Sequence, residues 1–442
     1  MSMKDAVVRA VRSNPEIGEA IANREGIEFE LEQGRGLYRP RVDLQASAGG
    51  EIRDSNDTRE RDDDDHLFFR REASVVVRQL LFDGFGTDSE VEFQAARVDS
   101  ASYRVKERSE FIALAVIREY LEMMRLQRIL GYAQDNLRYH QKITGDIAQG
   151  TTGGSMSVAD EQQARERVLA ARSRIVELEE ELETSRTTFR KLVGEPAGKV
   201  GNVIKINGKL QNTLQAALNT ARGNHPSIKF ARADIDAAQA RVKTAESKFY
   251  PKLSLEGRGS VGEDIGGDPG ATNDLQGNMV VEWNIYNGGI DSANKQEQIR
   301  HVDEAYQKLY RITREVEEGV RLSWDRRQKQ AKRLRVLLQE LSATDQLRGS
   351  YTEQYKIGER SLLDLLDTQN TRFNLQTAIA TSDAAVKFAE YRLLASTGSL
   401  LRTIGIAPAA QARAYARKDA NSPETLPPDA YDRVDPRPPK ED

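Results

Sequence analysis

The sequence predicts a mixed fold in which four amphipathic strands of a membrane β-barrel run on into very long α-helices, the whole built twice over. Three observations predict it. The second half of the chain is a diverged copy of the first, most of each copy carries helical periodicity almost free of proline, and after one proline in each copy the pattern switches to period two. Asn14-Pro15-Glu16-Ile17 aligns with His225-Pro226-Ser227-Ile228, and Pro40-Arg41-Val42-Asp43-Leu44 with Pro251-Lys252-Leu253-Ser254-Leu255, at an offset of 211 (226 − 15). Further on, Phe82-Asp83-Gly84 matches Tyr286-Asn287-Gly288, Asp160 matches Asp364 and Gly194 matches Gly398, at an offset of 204 (288 − 84). A single change of offset confines the insertion to one loop.

The first repeat spans residues 1–200, a linker 201–212, the second repeat 213–405, and a tail 406–442. Composition rich in Ala, Glu, Arg, Gln and Leu predicts helices over 3–35, 85–150, 157–193, 213–247, 289–355 and 361–400. Ile112, Val116, Tyr120, Met123, Leu126, Leu130 and Leu137 recur at three- and four-residue steps and form a coiled-coil-like seam. A helix of roughly 65 residues is about 100 Å long, far beyond what a globular domain uses.

Pro40 and Pro251 end the first helix of each repeat, because the residue before proline is pushed out of the helical region. Strands are expected at 41–54, 68–82, 252–263 and 276–286. In the first, Val42, Leu44, Ala46 and Ala48 alternate with Arg41, Asp43, Gln45 and Ser47; in the last, Met279, Val281, Trp283 and Ile285 face one way. An ordinary half-buried sheet needs a globular core over its apolar face, and helices this long and polar do not supply one. A lipid-facing wall with a wet lumen fits. Four strands cannot close a barrel, and open sheet edges cannot sit in lipid, so several copies must share one: two give eight strands, three twelve, four sixteen. The loops between paired strands fall at 55–67 and 265–274, the first holding the acidic run Asp62 to Asp65, read as a solvated external loop, with a cation or surface-polysaccharide contact as the alternative. Proline and charge dominate the tail, which is expected to be disordered.

Hydrophobic residues make up 38% and charged residues 30% of the 442, and the net charge of −4 gives no reason to expect nucleic acid as a partner. Cysteine is absent, which excludes disulfides and thiolate metal sites. No run of eighteen apolar residues exists, so no helical membrane span is expected. The first residues lack an apolar signal region, so the chain reads as cytoplasmic or as a mature form, and the strands favour the second. Gly257-Arg-Gly-Ser-Val-Gly262 lies inside a strand pattern and opens no helix, so it is not a dinucleotide site. With dispersed histidines and no catalytic or metal motif, the chain is expected to be no enzyme and to hold no cofactor or metal.

The informative constellation is Tyr355-Lys-Ile-Gly358-Glu-Arg360-Ser361, followed by Asp364 and Asp367, at the turn between two long helices. Ser361 is the expected N-cap. Asp364 and Asp367, at i and i+3, share a helix face. They can be plain capping residues on a solvated face; in a closed oligomer they become rings of charge beside Tyr and Arg, which is a constriction.

With the Asn14-Pro15 helix, the Pro40 and Pro251 strand starts, Phe82-Asp83-Gly84, Tyr286-Asn287-Gly288-Gly289 and the Gly358…Ser361…Asp364…Asp367 hairpin, residues 3–405 resemble the TolC family of outer-membrane channel-tunnels. The resemblance implies a homotrimer whose twelve-stranded barrel sits in outer-membrane lipid of a Gram-negative bacterium, with a helical tunnel in the periplasm. Its partners would be a periplasmic adaptor (membrane fusion) protein and an inner-membrane ABC exporter or RND pump. The resemblance also implies a gate in which Tyr355 and Arg360 bond Asp160 on a neighbouring hairpin. It further implies that Asp364 and Asp367 form cation-binding rings, and that the hairpin tips at Gly154, Ser157, Gly358 and Ser361 meet the adaptor. Ala159 stands where the family often has a hydroxyl residue, which thins the Arg360 contact by one hydrogen bond. Leu80-Leu-Phe-Asp-Gly-Phe-Gly86 and Phe111-Ile-Ala-Leu-Ala115 look similar to the branch serving type I secretion of a large protein such as an adhesin or toxin. The alternative is the outlet of a multidrug efflux pump; a soluble coiled-coil scaffold is a distant third.

Overall fold

The computed structural model describes residues 1–153, 156–201, 203–206 and 210–425. The first repeat runs α1 (Met3–Ser13), α2 (Pro15–Gly36), β1 (Arg41–Glu51), α3 (Asn56–Glu60), β2 (Phe68–Phe82), α4 (Gly86–Thr152) and α5 (Val158–Val193). The second runs α6 (Leu214–Asn224), α7 (Pro226–Glu246), β3 (Lys252–Ile265), β4 (Asp268–Glu282), α8 (Ile290–Lys356) and α9 (Leu362–Ser396). Two short helices, α10 (Leu400–Ile404) and α11 (Ala416–Asp419), follow. Helices α4 and α8 have 67 residues each.

The two repeats bend at the same joints for the same reasons. The helices expected over 3–35 and 213–247 each break in two, because Asn14 and His225 precede proline and take extended φ/ψ of −70/128 and −63/127. Each then caps the helix that the proline starts: Asn14 Oδ1 accepts from the Glu16 N–H at 2.9 Å, and His225 Nδ1 from the Ser227 N–H at 3.2 Å. The turns from strand to long helix are also paired. Asp83 Oδ2 accepts from the N–H and hydroxyl of Thr87, both at 2.8 Å, and the Asn287 amide donates to Asp291 at 2.6 Å. Gly84 has φ 69°, and a Cβ there would lie 2.6 Å from Tyr250 Cβ, so both conformation and space require glycine.

The four strands form one antiparallel sheet in the order β1-β2-β3-β4. Register sets Val42 opposite Val77, Leu44 opposite Val75, Leu253 opposite Val281 and Leu255 opposite Met279, all on one face. That face is bare: Leu44 is 75%, Met279 67% and Leu275 90% exposed. The other face carries interlocked charges, with Arg78 2.5 Å from Glu256 and Arg258 2.9 Å from Glu72. Both outer strands, β1 and β4, present a free edge.

Two expectations are corrected here. Most of the segment 265–274 is strand, not loop: Ile265 pairs with Asp268, and Gly266-Gly267, at φ 67° and 79°, make a two-residue turn. Pro269 is tolerated because it lies beside the turn, where the β3–β4 register shifts between Glu263 and Ile265. The tail is not disordered from residue 406: it is ordered as far as Thr425, and residues 426–442 lie outside the described residues. Its anchor is Arg417, whose Nε donates to Asp99 at 2.9 Å and whose Nη1 donates to Asp236. Asp99 also accepts the N–H groups of Tyr415 and Ala416 at 2.8 Å, and Asp236 those of the N–H and hydroxyl of Thr425 at 3.0 and 2.6 Å.

The largest core lies midway along the helices, where Ile112, Tyr120, Met123 and Leu126 of the seam, with Ile117 beside them, pack on α1, α5, α9 and α10. At its edge Glu110 accepts from the Leu401 N–H at 3.2 Å. Burial pushes the Glu110 carboxyl up to about 7, with the backbone of Leu401 and the charge of Lys106 opposing. Nearby, burial lowers His225 to about 4, helped by Lys106, which agrees with an unprotonated Nδ1 accepting from Ser227. The two groups oppose each other. Glu110 keeps a proton that the unfolded chain gives up between about 4.5 and 7, so its contribution falls as pH rises through that window. His225 refuses a proton that the unfolded chain takes, so its contribution is lost as pH falls from 6.5 toward 4, and the lowered His140 acts in the same direction. Each of the two large shifts is worth on the order of 3 kcal/mol. Glu110→Gln is therefore expected to make the protein lose stability on acidification from pH 7 to 5 more steeply than wild type, read as melting temperature against pH. Parallel curves would show that Glu110 is ionised at neutral pH.

Candidate functional site: the wall and the hairpin ends

Exposed aromatic side chains mark the border between sheet and helices. Tyr38, Phe85, Phe249, Tyr250, Trp283 and Tyr286 project there, and Phe69 with the aliphatic Leu67 at the opposite end of the strands. An aromatic girdle along one rim of an apolar band is the signature of a barrel wall seated in a bilayer. The strand expected at 276–286 ends at Glu282, so Trp283 and Tyr286 lie just beyond it; Tyr38, Phe85, Phe249 and Tyr250 sit outside the alternating strands and leave no periodic signal.

The far ends of the long helices form the second part. The α4–α5 and α8–α9 turns are held together by buried Ile147, Ala164, Leu362 and Leu366, with Met156 and Tyr355 half-buried beside them. Ser157 and Ser361 are N-caps: their hydroxyls accept the N–H of Asp160 and Asp364 at 3.1 and 3.2 Å. Each serine hydroxyl also donates to that aspartate's carboxylate, at 2.7 and 2.9 Å. Gly358 takes φ 79° to turn the chain between α8 and α9. Gly154 lies outside the described residues. Ser361→Ala is expected to remove a cap worth about 1 kcal/mol. Amide exchange in the first turn of α9 should accelerate while its middle is unchanged; equal rates in both proteins would mean the cap contributes nothing.

Arg360 lies over the Tyr351 ring at 4.5 Å, donates from Nε to Gln354 at 3.0 Å and stands 3.8 Å from Asp364. The Tyr355 hydroxyl is 4.0 Å from the Met156 sulfur. Burial raises the Tyr355 pKa, and the charges of Asp146 and Asp160 add to this. Among the described residues no hydrogen bond joins Asp160 to Tyr355 or Arg360, because Asp160 is turned into its own helix cap. Asp367 is likewise engaged: Arg167 of α5 donates to it at 3.3 Å. Deeper in, Gln369 donates to Asn136 at 2.9 Å and accepts from Arg348 at 3.2 Å, joining α4, α8 and α9. Sequence reasoning placed the hairpin residues but missed Arg167, whose partner is 200 positions away.

Among the described residues no helix is long and apolar enough to cross a membrane, and no cluster of His, Asp and Glu could hold a metal ion. A bare four-stranded wall continuous with a helical tunnel defines an outer-membrane channel. The chain belongs to the outer membrane efflux protein family, which matches residues 6–195 and 217–399. It is 24% identical over 337 residues to outer membrane efflux protein BepC of Brucella suis, covering 74% of this chain and 72% of that one. It is 21% identical to outer membrane protein TolC of Escherichia coli over 387 residues, 83% of this chain and 76% of the other. The crystal structure of the outer membrane protein VceC from Vibrio cholerae superposes with a TM-score of 0.78 at 15% identity, covering 90% of this chain and 96% of that one. The chain is thus an outer-membrane channel protein and not an enzyme.

Proposed function

We propose that three copies of the chain close one barrel and form the exit duct of a tripartite export machine, opened at its periplasmic end by docking of an adaptor and an inner-membrane transporter. The sheet carries this reading. Its exposed face is apolar, its other face charged, and its edges at β1 and β4 are free. Joining β4 of one copy to β1 of the next satisfies every backbone group, which lipid demands. Four strands per copy then make twelve in three copies. The Arg360 and Tyr355 bonds to Asp160 belong, on this reading, to contacts between hairpins of neighbouring copies. Chemical cross-linking of the detergent-solubilised protein tests the stoichiometry: a ladder ending at three supports it, and one ending at two or four overturns it.

For cargo, the sequence around Phe82 and Phe111 supports a large secreted protein handled by an ABC exporter. A second reading is small-molecule efflux through an RND pump, favoured by the name of the Brucella suis relative. Deleting the gene in its host separates them. Loss of one protein from the medium supports the first; unchanged secretion with increased susceptibility to toxic compounds supports the second.

A further inference from the structure

The hairpin ends hold three carboxylates that could give the duct a negative constriction, and the structure provides each with a partner. Asp160 is held by Ser157, Asp364 by Ser361 with Arg360 at 3.8 Å, and Asp367 by Arg167 at 3.3 Å. The last pair differs in kind, since it joins two helices, α5 and α9, where the Arg360–Asp364 pair is local. Asp367 lies off the buried stripe of α9 made by Leu362, Leu365, Leu366 and Gln369, and its side chain is 56% exposed. Arg167 is less exposed, at 31%, and is wedged between Asp367, Glu166 at 3.6 Å and the buried His140. Burial, helped by the Arg167 charge, lowers the His140 pKa, so the histidine adds no cation of its own at neutral pH.

We infer that Arg167 sets the ion selectivity of the periplasmic constriction by cancelling the charge of Asp367. The inference rests on the proposed duct. Where three copies meet, Asp367 contributes not a ring of bare carboxylates but a ring of ion pairs, and with Arg360 beside Asp364 the second carboxylate is offset as well. A constriction with two of its three carboxylates offset in this way repels acidic cargo less and collects fewer multivalent cations than one of bare aspartates. It suits solutes of either sign, anionic ones included, and Arg167 is the residue that makes the difference.

The test is the reversal potential of the assembled protein in a planar bilayer under a potassium chloride gradient. It compares wild type, Arg167→Gln, Arg167→Lys, Asp367→Asn and the Arg167→Gln/Asp367→Asn double variant. Wild type is expected to prefer potassium over chloride only weakly. Arg167→Gln should shift the reversal potential toward potassium and Asp367→Asn toward chloride. The double variant and Arg167→Lys should return to the wild-type value. The shifts should be large near 10 mM salt, where the screening length is about 30 Å, and collapse near 1 M, where it is about 3 Å. A wild-type reversal potential in Arg167→Gln overturns the inference, as does a shift that persists undiminished at high salt, which would mark a change of shape. Absence of conductance in every protein would instead remove the duct itself, and the inference with it.

Discussion

Replacing Arg417 with alanine is expected to cost about 3–5 kcal/mol, the usual penalty for leaving buried charges without their partner. Here two carboxylates lose it at once. Arg417, Asp99 and Asp236 have side chains only 3%, 3% and 2% exposed, so no water replaces the guanidinium. Asp99 keeps its bonds from the backbone of Tyr415 and Ala416, but these depend on the same segment being docked. The loss should therefore be cooperative: melting temperature falls and the segment after residue 406 becomes a protease site together. Arg417→Lys should recover only part, because one ammonium lacks the planar fork that reaches both acids. Wild-type melting and wild-type proteolysis of the alanine variant would show that the triad does not hold the strap.

Arg360→Ser is expected to raise the resting conductance of the assembled duct. Arg360 is held by Tyr351 and Gln354 with its charge still 40% exposed, and is thus poised to reach a carboxylate on an adjoining hairpin. A charge-assisted bond of this kind contributes roughly 1.5–3 kcal/mol. Repeated around a closed ring, it is enough to keep the end shut and weak enough for docking energy to open it. Tyr355→Phe should act in the same direction more weakly, since a neutral donor is removed. Single-channel recording of the three proteins side by side checks both; equal resting conductance would take Arg360 out of the gate.

What the sequence made legible was whatever repeats or alternates. Asn14-Pro15 and His225-Pro226 revealed the duplication, and the structure returns matched dihedral angles at both joints. Val42, Leu44 and Met279 revealed the wall through period two. The failures share a physical cause, which is that composition speaks for local preference only. Asp268-Pro269-Gly270 reads as a turn, yet β4 accepts it because it falls where the β3–β4 register shifts. The tail reads as unfolded, yet one of its arginines meets two acids on α4 and α7 that lie 318 and 181 positions away. Asp99 is flanked by Val98, Ser100 and Ala101 on a buried face, a local hint that some cation had to come to it. The hairpin ends were half legible. Ser157, Ser361 and Gly358 announce themselves as caps and turn, whereas Arg167 looks like any surface arginine on a polar helix.

The free edges of the sheet carry a genetic consequence. If closure runs head to tail, every copy must offer one good edge to each neighbour, and a ring with one defective member is as open as a ring with none sound. A copy with proline placed in the middle of β1 would still fold its helices, still join its siblings through them, and then leave a gap facing lipid. Such an allele would not be silent beside a normal one. It would draw normal copies into dead assemblies and behave as dominant, whereas an allele that abolishes folding altogether would be recessive.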